Sequence, residues 1–535
     1  MITTDEDAAA NEATAAFERE IGVTGIKSIR TQAGNREFLK FQVGREAPLY
    51  AHALLAMQRA LSSENPFRGA VGLAPTKPDS FPSSIEASAL LILLTRSTRE
   101  VQSDSSTPQG YAVPYVPFQK REDHQLAQPA SHIVRGRRGV GKSTLIRRAT
   151  ALLAESTAVV CVLDMQAYSS LSGDDLIREL MHDVCAALAS SGASVAKRMG
   201  IHWTSEDLFA VSEKILAGDI PAAKISISVN RALKKLTSTI PGNAFVFLDD
   251  FHLIDHDAQP VLLHALHGAL KGAKGWIKVA GLSSLLNVYS PTTQQGLQVP
   301  GDAQFISLDL TLVNPEAAET HLRAIMEGFF AAVGYAQSRS VIPDAVFRRL
   351  AWANAGVPRD FLQMFGSSLE HAQRNRRSAI TLSDVNMAIG EYGQRKIDDL
   401  QRDARNDEGS LRDMLTKLET LCLEQNQVNA FLIRSDKSRE RDLVQILSDL
   451  RMVHLIHQSI TPDKAGERYE AFILDYSLFT GFRRRPNVRE MVPREAQFKA
   501  ADLRALPKVF AGFLAADTKP LKRNPLKSRK PSTPN

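Results

Sequence analysis

The chain is poor in cysteine: only Cys161, Cys185 and Cys422 occur in 535 residues. They lie far apart and match no metal-ligand spacing. That excludes a disulfide framework and a zinc ribbon, and it suits a reducing cytoplasm with the thiols as small core residues. No run approaches about 18 uninterrupted apolar residues, so no membrane span is expected. The opening residues, MITTDEDAAANEATAAFEREIG, are acidic and Ala-rich. They lack a basic segment followed by an apolar one and do not read as a signal peptide. Neither sign of charge dominates: 65 Lys and Arg face 59 Asp and Glu, for a net +6 and a pI of about 9.1. Such a balance permits contact with nucleic acid or an acidic partner without requiring it. With 44% apolar and 23% charged residues, the composition is that of an ordinary globular protein, long enough for about three or four domains.

What is present is one specific motif. Residues 132–150 read HIVRGRRGVGKSTLIRRAT: a short apolar run, a Gly-rich turn, then a helical pattern. The turn matches GxxxxGK[ST] as Gly136, Gly141, Lys142 and Ser143. Glycines let backbone N–H groups converge on an anion, and a helix starting near Lys142 adds its positive end. The expected nucleotide-contacting residues are Gly136, Arg137, Arg138, Gly139, Val140, Gly141, Lys142, Ser143 and Thr144. Lys142 would reach the β- and γ-phosphates, and Ser143 would ligate Mg2+. The expected ligands are therefore ATP and Mg2+.

Such a site needs a carboxylate at the end of a buried strand. AFVFLDDFHLI supplies Asp249, which would hold the metal through water, and Asp250, which stands where a water-activating acid is expected. The stretch between Lys142 and Asp249 leaves room for one strand, AVVCVLDM, and an insertion at about 190–235. WIKVAGLSS then reads as a strand ending in small polar residues. Ser284, or Ser283, is placed to touch the γ-phosphate or the attacking water. LAWANAGVPRDFLQMF puts Arg359 after Gly-x-Pro at a helix start. A guanidinium there would tie the position of a lid to the nucleotide state.

The layout follows from periodicity. Residues 1–114 show helical patterns, AHALLAMQRALSS and SSIEASALLILLTRSTREV, around a Pro- and Gly-rich loop, NPFRGAVGLAPTKPDSFP. The segment SDSSTPQGYAVPYVPFQ reads as a linker. Over 115–312 short apolar runs (132–134, 158–165, 244–250, 276–282 and 305–310) alternate with helical patterns, which argues for a parallel sheet covered on both faces. Residues 313–400 read as a helical lid, with an Asn-Pro start at 314 and Ser383 as an N-cap. Residues 401–490 give helix, strand, helix and hairpin, the order of a winged-helix-like α+β domain. Residues 491–535 form a basic extension, expected to be partly disordered. The fold class is thus α/β: a P-loop NTPase sheet with a helical lid, a winged-helix-like C-terminal domain and a mainly helical N-terminal region.

In GRRGVGKST, FVFLDDFH, VAGLSS and GVPRDFL, taken in that order, the chain resembles an AAA+ ATPase of the origin-recognition-complex-like initiator type, a group bordering the signal-transducing STAND ATPases. The resemblance covers roughly residues 115–480. It implies that the four stretches are the phosphate loop, metal strand, first sensor and second-sensor arginine, and so assigns those roles to Lys142, Ser143, Asp249, Asp250, Ser284 and Arg359. Two departures bear on rate. The family usually has Glu where this chain has Asp250, one methylene shorter, and often Asn where it has Ser284. Both argue against fast turnover rather than against binding.

Three functions remain open at this level. One is a slow, Mg-dependent ATPase acting as a switch for DNA-associated assembly, with Arg439, Arg441, Arg483, Arg484, Arg485 and the basic tail contacting phosphates of duplex DNA. The second is a STAND-like signalling or defence-system regulator, in which the N-terminal region engages an unidentified protein partner. The third is a nucleotide-bound scaffold with negligible hydrolysis. An ATP-dependent homo-oligomer and a cytoplasmic location are also expected, with no membrane partner.

Overall fold

The computed structural model describes residues 3–34, 36–76, 80–98, 114–203, 205–403, 408–461, 467–481, 485, 487–491, 498 and 500–515. The linker up to residue 113, Arg483, Arg484 and the basic tail beyond 515 lie outside the described residues. No helix among the described residues is long and apolar enough to cross a membrane.

The N-terminal region comprises α1 (Thr3–Ile21), β1 (Ser28–Ala33), β2 (Arg36–Val43), α2 (Pro48–Ala60), β3 (Val71–Pro75) and α3 (Ile85–Thr98). Helices dominate, as expected, but three strands form a sheet in the order β1-β2-β3. Alternation along β2 buries Leu39, Phe41 and Val43, the period of a half-covered strand. Within the stretch read as a loop, VGLAP is β3, parallel to β2. Its small side chains carry no periodic signal. The open edge of β2 makes it a strand.

The next part holds α4 (Glu122–Leu126), β4 (His132–Arg135), α5 (Lys142–Ala154), β5 (Val159–Asp164), α6 (Gly173–Met199), α7 (Glu206–Leu216), α8 (Ala222–Thr239), β6 (Ala244–Asp249), α9 (Ala258–Leu270), β7 (Gly275–Gly281), a small hairpin of β8 (Tyr289–Ser290) and β9 (Gln295–Gly296), and β10 (Gln304–Ser307). All five apolar runs are strands of one parallel sheet, ordered β10-β4-β7-β6-β5. The central strand β6 shows how the sheet is covered. Phe245 and Phe247 pack on the α5 side, whereas Val246 and Leu248 pack under α6, α8 and α9. Parallel strands buried on both faces read as continuous apolar runs. This is the P-loop NTPase fold. The insertion is larger than expected: α6, α7 and α8 fill the whole interval between β5 and β6.

The lid contains α10 (Pro315–Ala332), α11 (Ser338–Val341), α12 (Asp344–Ala353), α13 (Pro358–Arg374) and α14 (Leu382–Asp403). Asn314 caps α10, accepting from the Ala317 N–H at 3.3 Å. Ser383 does not cap α14. Thr381 does: its N–H and hydroxyl donate to Asp384 Oδ2 at 2.9 and 2.7 Å. The carboxylate three residues on makes Thr381 the better cap, as in a capping box.

The C-terminal domain shows the expected helix, strand, helix and hairpin. It runs through α15 (Glu408–Glu419), which passes into a π-helical turn over 420–425, then β11 (Ala430–Arg434), α16 (Arg439–Asp449), β12 (Val453–Ile460) and β13 (Tyr469–Leu474). Ser438 caps α16 through the Arg441 N–H at 3.2 Å. The chain then returns through α17 (Ala500–Leu503) to β14 (Lys508–Val509), which adds to β11 in the sheet β12-β13-β11-β14.

The N-terminal region, lid and C-terminal domain share one continuous apolar core. Phe81 packs on Phe330, Phe330 on Phe365 and Trp352 on Phe498, with ring centroids 5.2, 5.8 and 5.9 Å apart. Inside this core sits a set of buried charges. Lys396 Nζ lies 3.2 Å from Asp360 Oδ2 and 2.6 Å from Asp475 Oδ2. Arg451 pairs with Asp360 Oδ1, to which the Tyr392 hydroxyl donates at 3.1 Å. His454 Nε2 stands 2.7 Å from Asp475 Oδ2. Burial alone would raise both carboxyls. Arg451 and Lys396 outweigh it at Asp360, and Lys396 with His454 outweighs it at Asp475, so both are held below the usual range.

Three buried histidines set an acid limit. Burial lowers His132, His321 and His454 to about 4, with Lys278 adding to the effect at His132. An unfolded histidine titrates near 6.5, so between pH 6.5 and 4 the unfolded chain binds more protons than the folded one. Stability therefore falls as pH falls through that window, by at most about 1.4 kcal/mol per pH unit for each histidine. Urea midpoints measured between pH 7 and 5 should show the loss, and His321→Phe should flatten the slope. An identical slope in the variant would refute the assignment.

Candidate functional site

All five parallel strands end on one edge of the sheet, where ligands of such sheets bind. From β4 the chain enters the loop 136–141 and leaves along α5. Gly139 and Gly141 take φ of 78° and 106°, in the left-handed region that glycine enters at no steric cost. The lid rests directly on this loop. A Cβ on Gly139 would stand 2.9 Å from the Arg359 Cβ, and the Arg359 N–H donates to Gly139 O at 3.2 Å. Lys142 opens α5 with its side chain buried, donating from Nζ to Gly136 O at 2.9 Å and Arg137 O at 3.1 Å. Thr144 is exposed on the same helix.

Asp249 is the last residue of β6 and accepts the Asp250 N–H at 3.0 Å. Asp250 has φ 51° and ψ 37°, and its side chain is 40% exposed. A residue with a Cβ is uncommon there, although Asp tolerates it. Such outliers cluster at functional sites. After β7 the backbone turns, leaving Ser283 exposed and Ser284 half-buried. The Ser284 N–H donates to Asp449 Oδ2 at 2.7 Å.

The electrostatics centre on Lys142. Burial pulls its pKa down, while Asp250, Asp309, Asp449 and Asp249 hold it up. Burial and the charge of Asp250 raise Asp249, against Ser143, the Asp250 N–H and Lys142. Burial likewise raises Asp449, against the Ser284 hydrogen bond and Lys142. One buried cation thus faces four carboxylates from three parts of the chain.

Lys142, Ser143, Asp249, Asp250, Ser284 and Arg359 therefore converge on one edge. Arg137 has a different task. Its buried guanidinium donates to Asp309 Oδ1 at 3.2 Å and to Leu310 O and Ala355 O at 3.0 Å each. Its N–H donates to Asp309 Oδ1 at 2.9 Å. Arg137 straps the loop to the strand end and the lid. The Arg138 N–H donates to the Asp449 carbonyl at 3.1 Å.

Sequence reasoning missed four residues. Asp309 follows the last strand in SLDL, and the strand-end logic applied to Asp249 would have found it. Phe118 stacks on His321 with centroids 4.9 Å apart, and Phe118 Cζ lies 3.7 Å from where a Gly141 Cβ would sit. An aromatic in a Pro-flanked segment ahead of the loop was its only signal. Asp449 is the last residue of α16, at the end where a helix disfavours an acid. That misfit was its signal.

Of the arginines expected to contact phosphates, the three among the described residues are engaged within the domain. Arg441 binds Glu470 through two hydrogen bonds of 3.1 and 3.0 Å. Arg439 donates to Ser410 Oγ at 2.9 Å and Arg485 to Glu424 Oε1 at 3.2 Å.

No protein-family model matches the chain, and no curated protein does. Among solved structures, the chain is similar to Cdc6p from Pyrobaculum aerophilum, with 13% identity over 70% of this chain and 95% of that one and a TM-score of 0.34. A Drosophila ORC structure bound to DNA shows 11% identity over 78% and 94% of the two chains, with a TM-score of 0.36. A structure of RuvB from Thermotoga maritima shows 12% identity over 62% and 83%, with a TM-score of 0.30.

The strap is testable by stability. Arg137→Ala would leave Asp309, Leu310 O and Ala355 O without their buried donor. The urea-derived stability should drop by about 2–4 kcal/mol. A change under about 0.5 kcal/mol would show that the strap holds nothing together.

Proposed function

We propose that this chain binds Mg·ATP at residues 136–144 and hydrolyses it slowly, as a nucleotide-governed switch of the AAA+ kind that its motifs resemble. The observation that supports this most is the convergence of Lys142, Asp249, Asp250 and Ser284 at the carboxyl edge of the sheet, with the lid residue Arg359 seated on the phosphate loop.

The residues fit both ligands. The loop's left-handed glycines and the start of α5 aim N–H groups at an anion, and Lys142 lies buried beside them. Phe118 and His321 offer a flat aromatic wall next to Gly141 for a base. Ser143 and Asp249 would hold Mg2+, which when bound neutralises charge on the β- and γ-phosphates. Asp250 would orient a water and take its proton as oxygen attacks the γ-phosphorus and the bond to the bridging oxygen breaks. Its short side chain holds that water less closely than Glu would, so turnover is slow. Arg359 moves with the lid and would report the γ-phosphate to it.

One observation bears on the partner. Arg441 is neutralised by Glu470, whereas Arg439, held only by the Ser410 hydroxyl, keeps its charge. The DNA-associated assembly switch is the first reading of the partner, and a STAND-like regulator docking on protein is the alternative.

Nucleotide binding and turnover by the whole chain, with and without duplex DNA, test these readings. Lys142→Ala should weaken ATP binding by at least about tenfold. Asp250→Asn should keep binding and lose about 10²-fold in turnover. A wild-type chain that binds no ATP would end the nucleotide reading. Salt-sensitive stimulation by DNA would support the DNA-associated switch, and its absence the STAND-like alternative.

A further inference from the structure

The position of Asp449 has no counterpart in the roles assigned so far. It belongs to the C-terminal domain, yet its carboxylate lies in the nucleotide site of the core. Oδ2 accepts the Ser284 N–H at 2.7 Å, and its main-chain oxygen accepts the Arg138 N–H at 3.1 Å. The residue is 6% exposed, and Lys142 is among the charges that act on it. An N–H of the phosphate loop, an N–H of the first-sensor segment and the loop lysine are groups that suit an anion. Here they meet the negative end of α16 and a carboxylate.

Chemistry makes this arrangement costly on its own. An acid at the last residue of a helix opposes the helix dipole, and a buried carboxylate needs compensation. The compensation comes from the groups that would otherwise serve a terminal phosphate. The charges of Asp250 and of Asp309, the latter paired with Arg137, also act on the same lysine. A γ-phosphate arriving with Asp449 in place would therefore add charge to a ring of like charges. A diphosphate leaves the first-sensor segment to Asp449 and meets less repulsion.

Resting on the nucleotide-binding reading above, we infer that Asp449 stands in for the terminal phosphate. With α16 docked, the site prefers a nucleoside diphosphate, and a triphosphate enters as Asp449 withdraws. Withdrawal reaches the lid through one turn. Asp449 ends α16, Leu450 caps it, Arg451 follows with φ 67°, and the Arg451 guanidinium pairs with Asp360, the neighbour of Arg359. The residue that excludes the γ-phosphate and the residue that anchors the domain on the lid are thus two positions apart.

The test is calorimetric titration of the full-length wild type, Asp449→Asn, Asp449→Ala and Lys142→Ala with Mg·ADP and with Mg·AMP-PNP. The wild type should bind Mg·ADP about tenfold or more tighter than Mg·AMP-PNP. Asp449→Asn, which keeps size and an acceptor, should bring the two within about threefold, mainly by tightening AMP-PNP. Asp449→Ala should do the same. Should either variant unfold, hydrogen exchange on the wild type gives a second reading. Exchange over 453–460 should be faster with AMP-PNP than with ADP, and equal exchange would overturn the proposal. Both nucleotides binding with an unchanged affinity ratio in Asp449→Asn would overturn it and leave nucleotide binding intact. Neither nucleotide binding to the wild type or any variant would overturn the underlying nucleotide reading and the proposal with it.

Discussion

The pairing of Asp360 with Arg451 and Lys396 fastens the C-terminal domain to the lid, and much of the architecture follows from it. Four charged side chains, Asp360, Lys396, Arg451 and Asp475, are 0–1% exposed. Removing charges from water is unfavourable unless every one is matched, and losing a single partner leaves an uncompensated charge in the core. A half-open interface would therefore leave a buried charge unmatched. Either the cluster is whole and the domain is docked, or it is broken and water enters. A contact of this kind confers specificity of arrangement more than raw stability. It gives a two-state joint, which gradual apolar sliding would not.

The joint lies next to the phosphate loop. Asp360 follows Arg359, whose N–H holds Gly139, and Arg451 lies two residues from Asp449, which holds Arg138 and Ser284. Arg137 adds a third strap through Asp309 and Ala355. Loop, lid and C-terminal domain thus meet through a few polar contacts, whereas the lid and C-terminal domain share a wide apolar core with the N-terminal region. Besides the apolar contacts of Val357 and Leu282, the parallel-sheet core is held to these parts by directional bonds. Relative motion is easiest where such bonds are few and exposed to exchange with a charged ligand.

Much of the candidate site was legible because its parts are local. GRRGVGKST carries its own backbone requirement, and AFVFLD announces a doubly covered strand with an acid at its end. The five strands were readable for the same reason. Pairing across the chain was not. VGLAP is a strand only because β2 offers an edge, and Thr381 is preferred to Ser383 as a cap only because Asp384 lies three residues on. The place of Arg441 on a helix suggests a phosphate contact, and Glu470, from the hairpin, claims it instead. Asp309 and Asp449 act on Lys142 from far along the chain, and periodicity carries no trace of such meetings. The α6–α8 insertion was visible as space but not as three helices.

The shared apolar core has a consequence for synthesis. Phe17, Phe41, Tyr50 and Leu90 are buried in a core completed by Phe330, Phe365 and Met414. A growing chain delivers the first group well before the second, which comes only after the whole parallel sheet has been made. At about 5–20 residues per second, that interval lasts many seconds. During it the N-terminal region has its helices and its sheet but no surface to close against. The nascent protein thus exposes an apolar face for as long as its core takes to emerge.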